Sequence, residues 1–288
     1  MYSEQKLSML ALSLIFPAAS SLFHEIYSHF GNCCEMLENL ANDKKTNLPD
    51  FLKQRVMSFD INYAKDIYTY CENNGIQIIT IECEEYPLRL KEIDCPPSVL
   101  YCIGNLSSLK VQKSVAVVGA RKACDYSVKI AEVFSRSLTE NGISVISGFA
   151  NGIDTAAHKA CLNSGGITVA VLGCGIDCDY PKGKSDLKRL IAQNGAVISE
   201  YPPLTRPAPE NFRIRNRIIA GLSKAILVVQ AGRKSGSLNT VSHGLEQGKD
   251  IYVVPPRDIL SPDYVGQSLL LKDGAQAVYS PHDILINI

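Results

Sequence analysis

No run in this 288-residue chain approaches about 18 uninterrupted apolar residues, so nothing in it reads as a membrane span. The apolar segment Leu7–Ala18 lacks the basic flank and cleavage pattern of a secretory leader and reads as a core helix. No C-x-x-C pair occurs among the ten cysteines. They are scattered, several within apolar runs, which points to buried thiols of a cytoplasmic protein rather than to disulfides or zinc. Cys174 and Cys178 come nearest to a metal pattern, and no second pair accompanies them. A phosphate loop of the form G-x-x-x-x-G-K-[ST] is missing, which excludes a P-loop ATPase. The dinucleotide fingerprint is missing too. Arg121 and Cys124 stand where its second and third glycines would be, and Ser147 and Gly148 stand where an acid would hold a ribose. No cofactor and no metal is therefore expected.

Net charge is zero as well, but that balance hides an asymmetry. Residues 1–110 carry nine Lys/Arg against fourteen Asp/Glu, a net of −5, whereas residues 111–288 carry twenty against fifteen, a net of +5. Within 206–234 stand Arg206, Arg213, Arg215, Arg217, Lys224, Arg233 and Lys234 beside a single acid, Glu210. A basic stripe in a neutral protein points to a polyanion site. A composition of 46% hydrophobic and 20% charged residues is that of a globular chain, and the length fits about two domains.

The chain divides near residue 110. The expected organisation is a helical module over 1–80, a strand and linker segment over 81–112, and a larger domain over 113–288. Apolar residues at near-helical spacing fill the first part, broken by Pro17 and Gly31. Asn73-Asn74-Gly75 then punctuates a switch to the short strand Ile76–Ile81, and Tyr86-Pro87 and Pro96-Pro97 mark extended chain. From Lys113 onward short β-branched runs recur at Val115–Val118, Ile143–Ile146, Ile167–Leu172, Ala196–Ile198, Ala225–Val229 and Ile251–Val254. Such runs suit parallel strands covered on both faces. Amphipathic helices over Ser127–Asn141, Asp154–Asn163 and Ser237–Gln247 separate several of them, each closing on glycine. The fold expected is α/β: a doubly wound parallel sheet of extended Rossmann-like type, preceded by a small helical domain.

Ligands of such a sheet bind where strands end and helices begin. Those places carry Gly119-Ala120-Arg121-Lys122, Ser147-Gly148 leading to Asp154, Gly173-Cys174-Gly175-Ile176-Asp177, and Ser235-Gly236-Ser237. A tight turn needs glycine whether or not it binds anything, so the signal is the convergence of four such loops on one edge. Glycine lets backbone N–H groups approach an anion, and Arg121 and Lys122 supply countercharge. Asp154 is placed to cap the helix beginning at Thr155. A further stretch, Pro207 to Arg217, puts Asn211 and Phe212 among Arg213, Arg215 and Arg217, with prolines holding the preceding residues out of a helix. A ring flanked by guanidinium groups can stack on a splayed base while the charges hold the backbone.

These strings resemble the DNA-processing protein A (DprA/Smf) family. The resemblance rests on Gly119–Lys122, the Ser147–His158 turn, Val171–Pro181, Ser199–Pro203, Asn211–Ser223, and Ser235–Thr240 with Leu245–Gly248. It covers about 113–280 strongly and reaches back through Tyr86-Pro87 and Pro96–Tyr101. It implies a non-enzymatic protein of natural transformation and recombination that protects incoming single-stranded DNA and helps load the recombinase RecA in place of the single-strand-binding protein. It also implies a homodimer joined through the Rossmann-like domain. Carried over by position, Arg121 grips phosphate beside Gly119, Phe212 stacks a base, and Arg215, Asn216 and Arg217 line the same pocket.

The helical module resembles a SAM or helix-hairpin-helix unit. Phe16-Pro17-Ala18-Ala19 stands where family members carry a Gly-rich hairpin, and the chain stops at Ile288, too soon after Asp283-Ile284 for a winged helix. A competing resemblance, to nucleotide phosphoribohydrolases of the lysine-decarboxylase-like group, fails at its glutamate. That position is His243 when the motif is aligned on Thr240, with Glu246 one turn further on.

Overall fold

The structure is a computed structural model and describes residues 3–41 and 48–288. The chain opens with helices α1 (Glu4–Ile15), α2 (Ser21–Phe30), α3 (Cys33–Ala41), α4 (Asp50–Ser58) and α5 (Ile61–Asn73). Capping follows the local sequence: Ser20 accepts the Phe23 N–H at 3.2 Å to start α2, and Asp60 accepts the Asn62 N–H at 2.9 Å to start α5. Next come β1 (Gln77–Thr80), the short α6 (Leu88–Lys91) and β2 (Val99–Gly104). The alternation then begins with β3 (Ser114–Gly119), α7 (Asp125–Glu140), β4 (Ser144–Ser147), α8 (Ile153–Asn163) and β5 (Thr168–Leu172). It continues through α9 (Ser185–Asn194), β6 (Ala196–Ser199), α10 (Pro209–Leu222), β7 (Ala225–Gln230) and α11 (Gly236–Glu246). Last are β8 (Asp250–Val253), α12 (Val265–Lys272), β9 (Gln276–Ala277) and α13 (His282–Leu285).

The strands form one sheet in the order β1-β2-β6-β5-β4-β3-β7-β8-β9. Neighbours are parallel from β6 to β9, while β1 on β2 and β2 on β6 are antiparallel. The order reverses at β3, between β4 and β7, so the switch point of a doubly wound sheet falls there. Successive residues of β3 face opposite ways: Val115 and Val117 pack with α7 and α8, whereas Ala116 and Val118 pack with α10 and α11. No described helix is long and apolar enough to cross a membrane.

The sheet runs past the division at residue 110. β1 and β2, read from the sequence as part of the module and its linker, extend the sheet beyond β6. The core does not break there either. Met9, Leu12, Phe23, Met36 and Leu52 of the helical part share one buried cluster with Tyr101, Ala170, Leu172, Val197 and Ile191. Helices α1–α5 thus act as the covering layer of one half-sheet, beside α9. Polar ties fasten that layer as well. Tyr27 donates to Glu82 Oε1 at 2.7 Å, and Tyr70 donates to Asp177 Oδ2 at 2.9 Å while Asp177 Oδ1 accepts the Leu204 N–H at 2.8 Å.

Candidate nucleic-acid interface

At the carboxyl edge of the sheet, close to the switch point, is a cavity of about 390 Å³. Three loops and one helix make it. Arg121 comes from the turn after β3, Gly148–Asn151 from the turn after β4, Gly173, Cys174 and Tyr180–Lys182 from the loop after β5, and Phe212 and Arg215 from α10.

The position of Phe212 follows from how α10 begins. Pro209 occupies the opening of that helix, where its missing N–H costs nothing. Phe212 is therefore helical and half-buried. Its ring rests directly on the chain at Gly173, where a Cβ would come within 2.6 Å of it. The Arg121 guanidinium lies 5.3 Å from the ring centroid and that of Arg215 5.8 Å, and the Tyr180 ring sits 5.3 Å away at 34°. Cations over an aromatic face are attracted to its quadrupole.

Arg215 forms the pocket wall and is only 4% exposed. Its Nη1 donates to Gly148 O at 2.9 Å and to Val171 O, which joins the ends of β4 and β5. Burial pulls its pKa down to about 10, and Asp154 works against that, so the group stays charged at neutral pH. Asp154 is not an N-cap. It lies inside the first turn of α8 and reaches back to accept the Ala150 N–H at 3.2 Å. Burial raises its pKa, and the charge of Arg215 and the N–H groups of Ala150 and Gly148 oppose the rise. One turn further on, His158 is fully buried, and its pKa falls to about 3 through burial and the nearby charges of Lys184 and Arg215. Thr168 Oγ1 donates to Val145 O at 2.8 Å, so His158 Nδ1, 2.7 Å from that oxygen, carries the proton and donates. Its Nε2 is buried without a partner among the described residues. Lys184 donates to Thr155 Oγ1 alongside.

The loop after β4 is held in an uncommon shape. Phe149, at φ 59°, is a non-glycine residue in the left-handed region, and Gly152 follows at φ 75°. A Cβ on Gly152 would fall 2.2 Å from Ala120 O, so this loop and the turn after β3 touch backbone to backbone.

Of the residues singled out in the sequence, Arg121, Gly148, Phe212 and Arg215 meet at the cavity. The others are placed differently. Gly119 packs on Ile153, where a Cβ would come within 2.6 Å. Ser147 is fully buried and donates to Val117 O at 2.7 Å. Ser235 caps α11, with its Oγ 2.7 Å from Ser237 Oγ, and the Ser235–Gly236–Ser237 turn lies outside the cavity lining. Lys122 is exposed, and Asn211 is half-buried with its carbonyl accepting from Tyr201 at 3.2 Å.

The expectation that Arg215, Asn216 and Arg217 share one pocket needs correction, because consecutive helical residues point about 100° apart. Asn216 turns to Asn239 Oδ1 at 3.0 Å and Gly236 O at 3.3 Å. Arg217 turns to Glu200, with bonds of 2.6 and 2.9 Å, and to Cys95 O at 3.1 Å. Sequence reading also left Phe149, Asn151, Tyr180 and Lys182 out of the site, although the turns that carry them were visible. For Phe149 and Asn151 the signal was loop membership just past β4, whereas Tyr180 and Lys182 lie eight and ten residues beyond the end of β5.

The family model for DNA recombination-mediator protein A matches residues 77–288, the span from β1 to the last described residue. A DNA processing protein DprA of Streptococcus pneumoniae is 42% identical over 200 residues, 69% of this chain and 70% of that protein. A crystal structure of DNA processing protein A from the same species aligns with a TM-score of 0.85 and 32% identity, covering 99% of this chain and 98% of that one. A structure of DNA processing protein A from Helicobacter pylori, concerned with its single-stranded DNA binding mode, aligns at 0.66 and 30% identity over 73% of this chain and 95% of that one. On these matches, the chain belongs to the DNA recombination-mediator protein A family.

Proposed function

We propose that this chain binds single-stranded DNA at the cavity on the carboxyl edge, with Phe212 stacking a base and Arg121 and Arg215 holding the adjoining phosphates. One observation carries the reading: a half-buried ring with two guanidinium groups within 6 Å of its centroid, neither of them in an ion pair with a carboxylate among the described residues. Stacking tolerates any base, and the charges follow the backbone. The Helicobacter pylori relative's single-stranded DNA binding supports the assignment. On this reading the protein protects incoming strands during transformation and recombination and helps seat the recombinase RecA on them in place of the single-strand-binding protein. It works as a homodimer through the sheet domain, where Leu245 of α11 and Leu269 of α12 offer exposed apolar side chains.

The role proposed is binding, not turnover. Asp154, Asp177 and Glu200, the carboxylates near strand ends, are each held by a different partner: the Ala150 N–H, Tyr70 with Leu204, and Arg217. Glu246, the acid a phosphoribohydrolase would need, points to solvent and pairs with His243 at 3.1 Å.

Fluorescence anisotropy with labelled oligonucleotides tests the proposal. Single strands should bind more tightly than duplex, with an affinity that falls as salt rises because counterions are reclaimed. Equal affinity for duplex, or a flat salt dependence, would overturn it. Incubation with nucleotides, with and without magnesium, should leave them intact.

A further inference from the structure

Along the same edge of the sheet, beyond the cavity, a second ring lies beneath a guanidinium. Tyr126, in the first turn of α7, is 41% exposed, and Arg257 Cζ lies 5.3 Å from its centroid. Both side chains come from segments that follow strand carboxyl ends, Tyr126 after β3 and Arg257 after β8. The sheet order places β8 three strands from β4, about 14 Å at about 4.8 Å per strand. The turns between them supply Arg121 and Lys122 after β3, and Arg233 and Lys234 after β7. Among the described residues, none of these cations, nor Arg257, is in an ion pair. The acids beside the ring are Asp125, also on α7, and Asp258, which accepts the Leu260 N–H at 2.9 Å.

We propose that Tyr126 and Arg257 form a second base-stacking platform for single-stranded nucleic acid. A strand anchored at Phe212 crosses the ends of β3 and β7 over the unpaired cations and stacks a further base on Tyr126. The inference rests on the single-strand reading of the cavity and adds a direction to it: the polymer leaves the pocket across the switch point. A span of about 14 Å fits within a bound strand, since comparable sites occupy about 4–16 nucleotides. The two platforms share one arrangement, a ring paired with an arginine at a strand's carboxyl end.

The test is length dependence. A strand covers about 3.4 Å per stacked nucleotide, so a dinucleotide cannot bridge about 14 Å; anisotropy titrations would use oligothymidylates of about 2 and about 20 nucleotides. Tyr126→Ala should weaken binding of the longer oligonucleotide about tenfold and leave the shorter within about twofold, because only the longer reaches the second platform. Tyr126→Phe keeps the ring and should restore the longer-strand affinity. Arg257→Ala should weaken the longer strand and reduce its salt slope by about one unit. Unchanged binding of both lengths by Tyr126→Ala would overturn the inference while leaving the cavity reading in place. So would a loss equal at both lengths, or one that follows a change in mass by light scattering, since either would give Tyr126 a structural or interface role. If the unsubstituted protein bound neither length, both readings would fall together.

Discussion

Two arginines stand two residues apart on α10 and face opposite sides of it. Arg217 is closed off: Glu200 meets it with bonds of 2.6 and 2.9 Å and Cys95 O completes the set. Burial opposes its charge, yet Glu200 more than offsets that and raises its pKa. Arg215 is equally buried, but its hydrogen bonds go to carbonyls, its pKa is drawn down, and one side of it lines an open cavity. The contrast shows that burial alone does not separate a cation paired to a carboxylate from one that lines an open cavity. What separates them is direct pairing: Glu200 bonds Arg217, whereas Asp154 supports the charge of Arg215 without forming an ion pair.

The largest expected effect would break the closed side of that comparison. Arg217→Met leaves Glu200 buried and unpaired, and should cost about 3–5 kcal/mol of folding stability in a denaturant titration. Oligonucleotide affinity per folded molecule should hardly change, and a binding defect at intact stability would show that the two arginines are not divided as described.

Acid sharpens the open side. The His158 pKa is about 3 in the fold against 6.5 unfolded, so between those values the unfolded chain binds the extra proton. Stability should therefore fall as pH drops through that window. Asp154, whose pKa is raised by burial, works in the opposite sense at the acid end. Chemical denaturation at stepped pH should show the loss, and His158→Asn should flatten it.

Phe212→Ala should cost about 1–3 kcal/mol of single-strand affinity with the salt slope little changed, since stacking is uncharged. A drop in melting temperature with intact binding would move that ring from the site to the core. Arg121→Ala should lower the salt slope by about one unit, as a single phosphate contact is lost. Smallest is Tyr70→Phe, which removes one hydrogen bond between the helical layer and Asp177. It should lower stability by about 0.5–1.5 kcal/mol, read from the denaturation midpoint.

The alternation of short β-branched runs with amphipathic helices made the parallel strands and the position of their loops readable from the sequence. Less readable was what β1 and β2 pair with. Ile76–Ile81 read as a strand, but a strand's pattern does not identify its neighbour, and here the partner of β2 is β6, nearly a hundred residues on. The helical layer read as a separate module because its own apolar spacing was complete, and only the shared cluster shows that its face closes on the sheet. At the site, Arg121, Phe212 and Arg215 were legible because charge and ring stand out in a loop or helix start. The direction of Asn216 and Arg217 depends on a helix that begins at Pro209, where the sequence places residues outside a helix. Tyr180 was hidden for another reason: it reaches Phe212 only through the long loop after β5, whose path no local pattern reveals.

Gly152 carries a consequence for how such a cavity takes its ligand. Because no side chain separates it from Ala120, the turn bearing Arg121 and the turn bearing Gly148 are seated directly on one another. The entropy of bringing cation and backbone cradle into register is lost when the chain folds rather than when a ligand arrives. A ligand that fits such a preformed gap binds without the cost of ordering it.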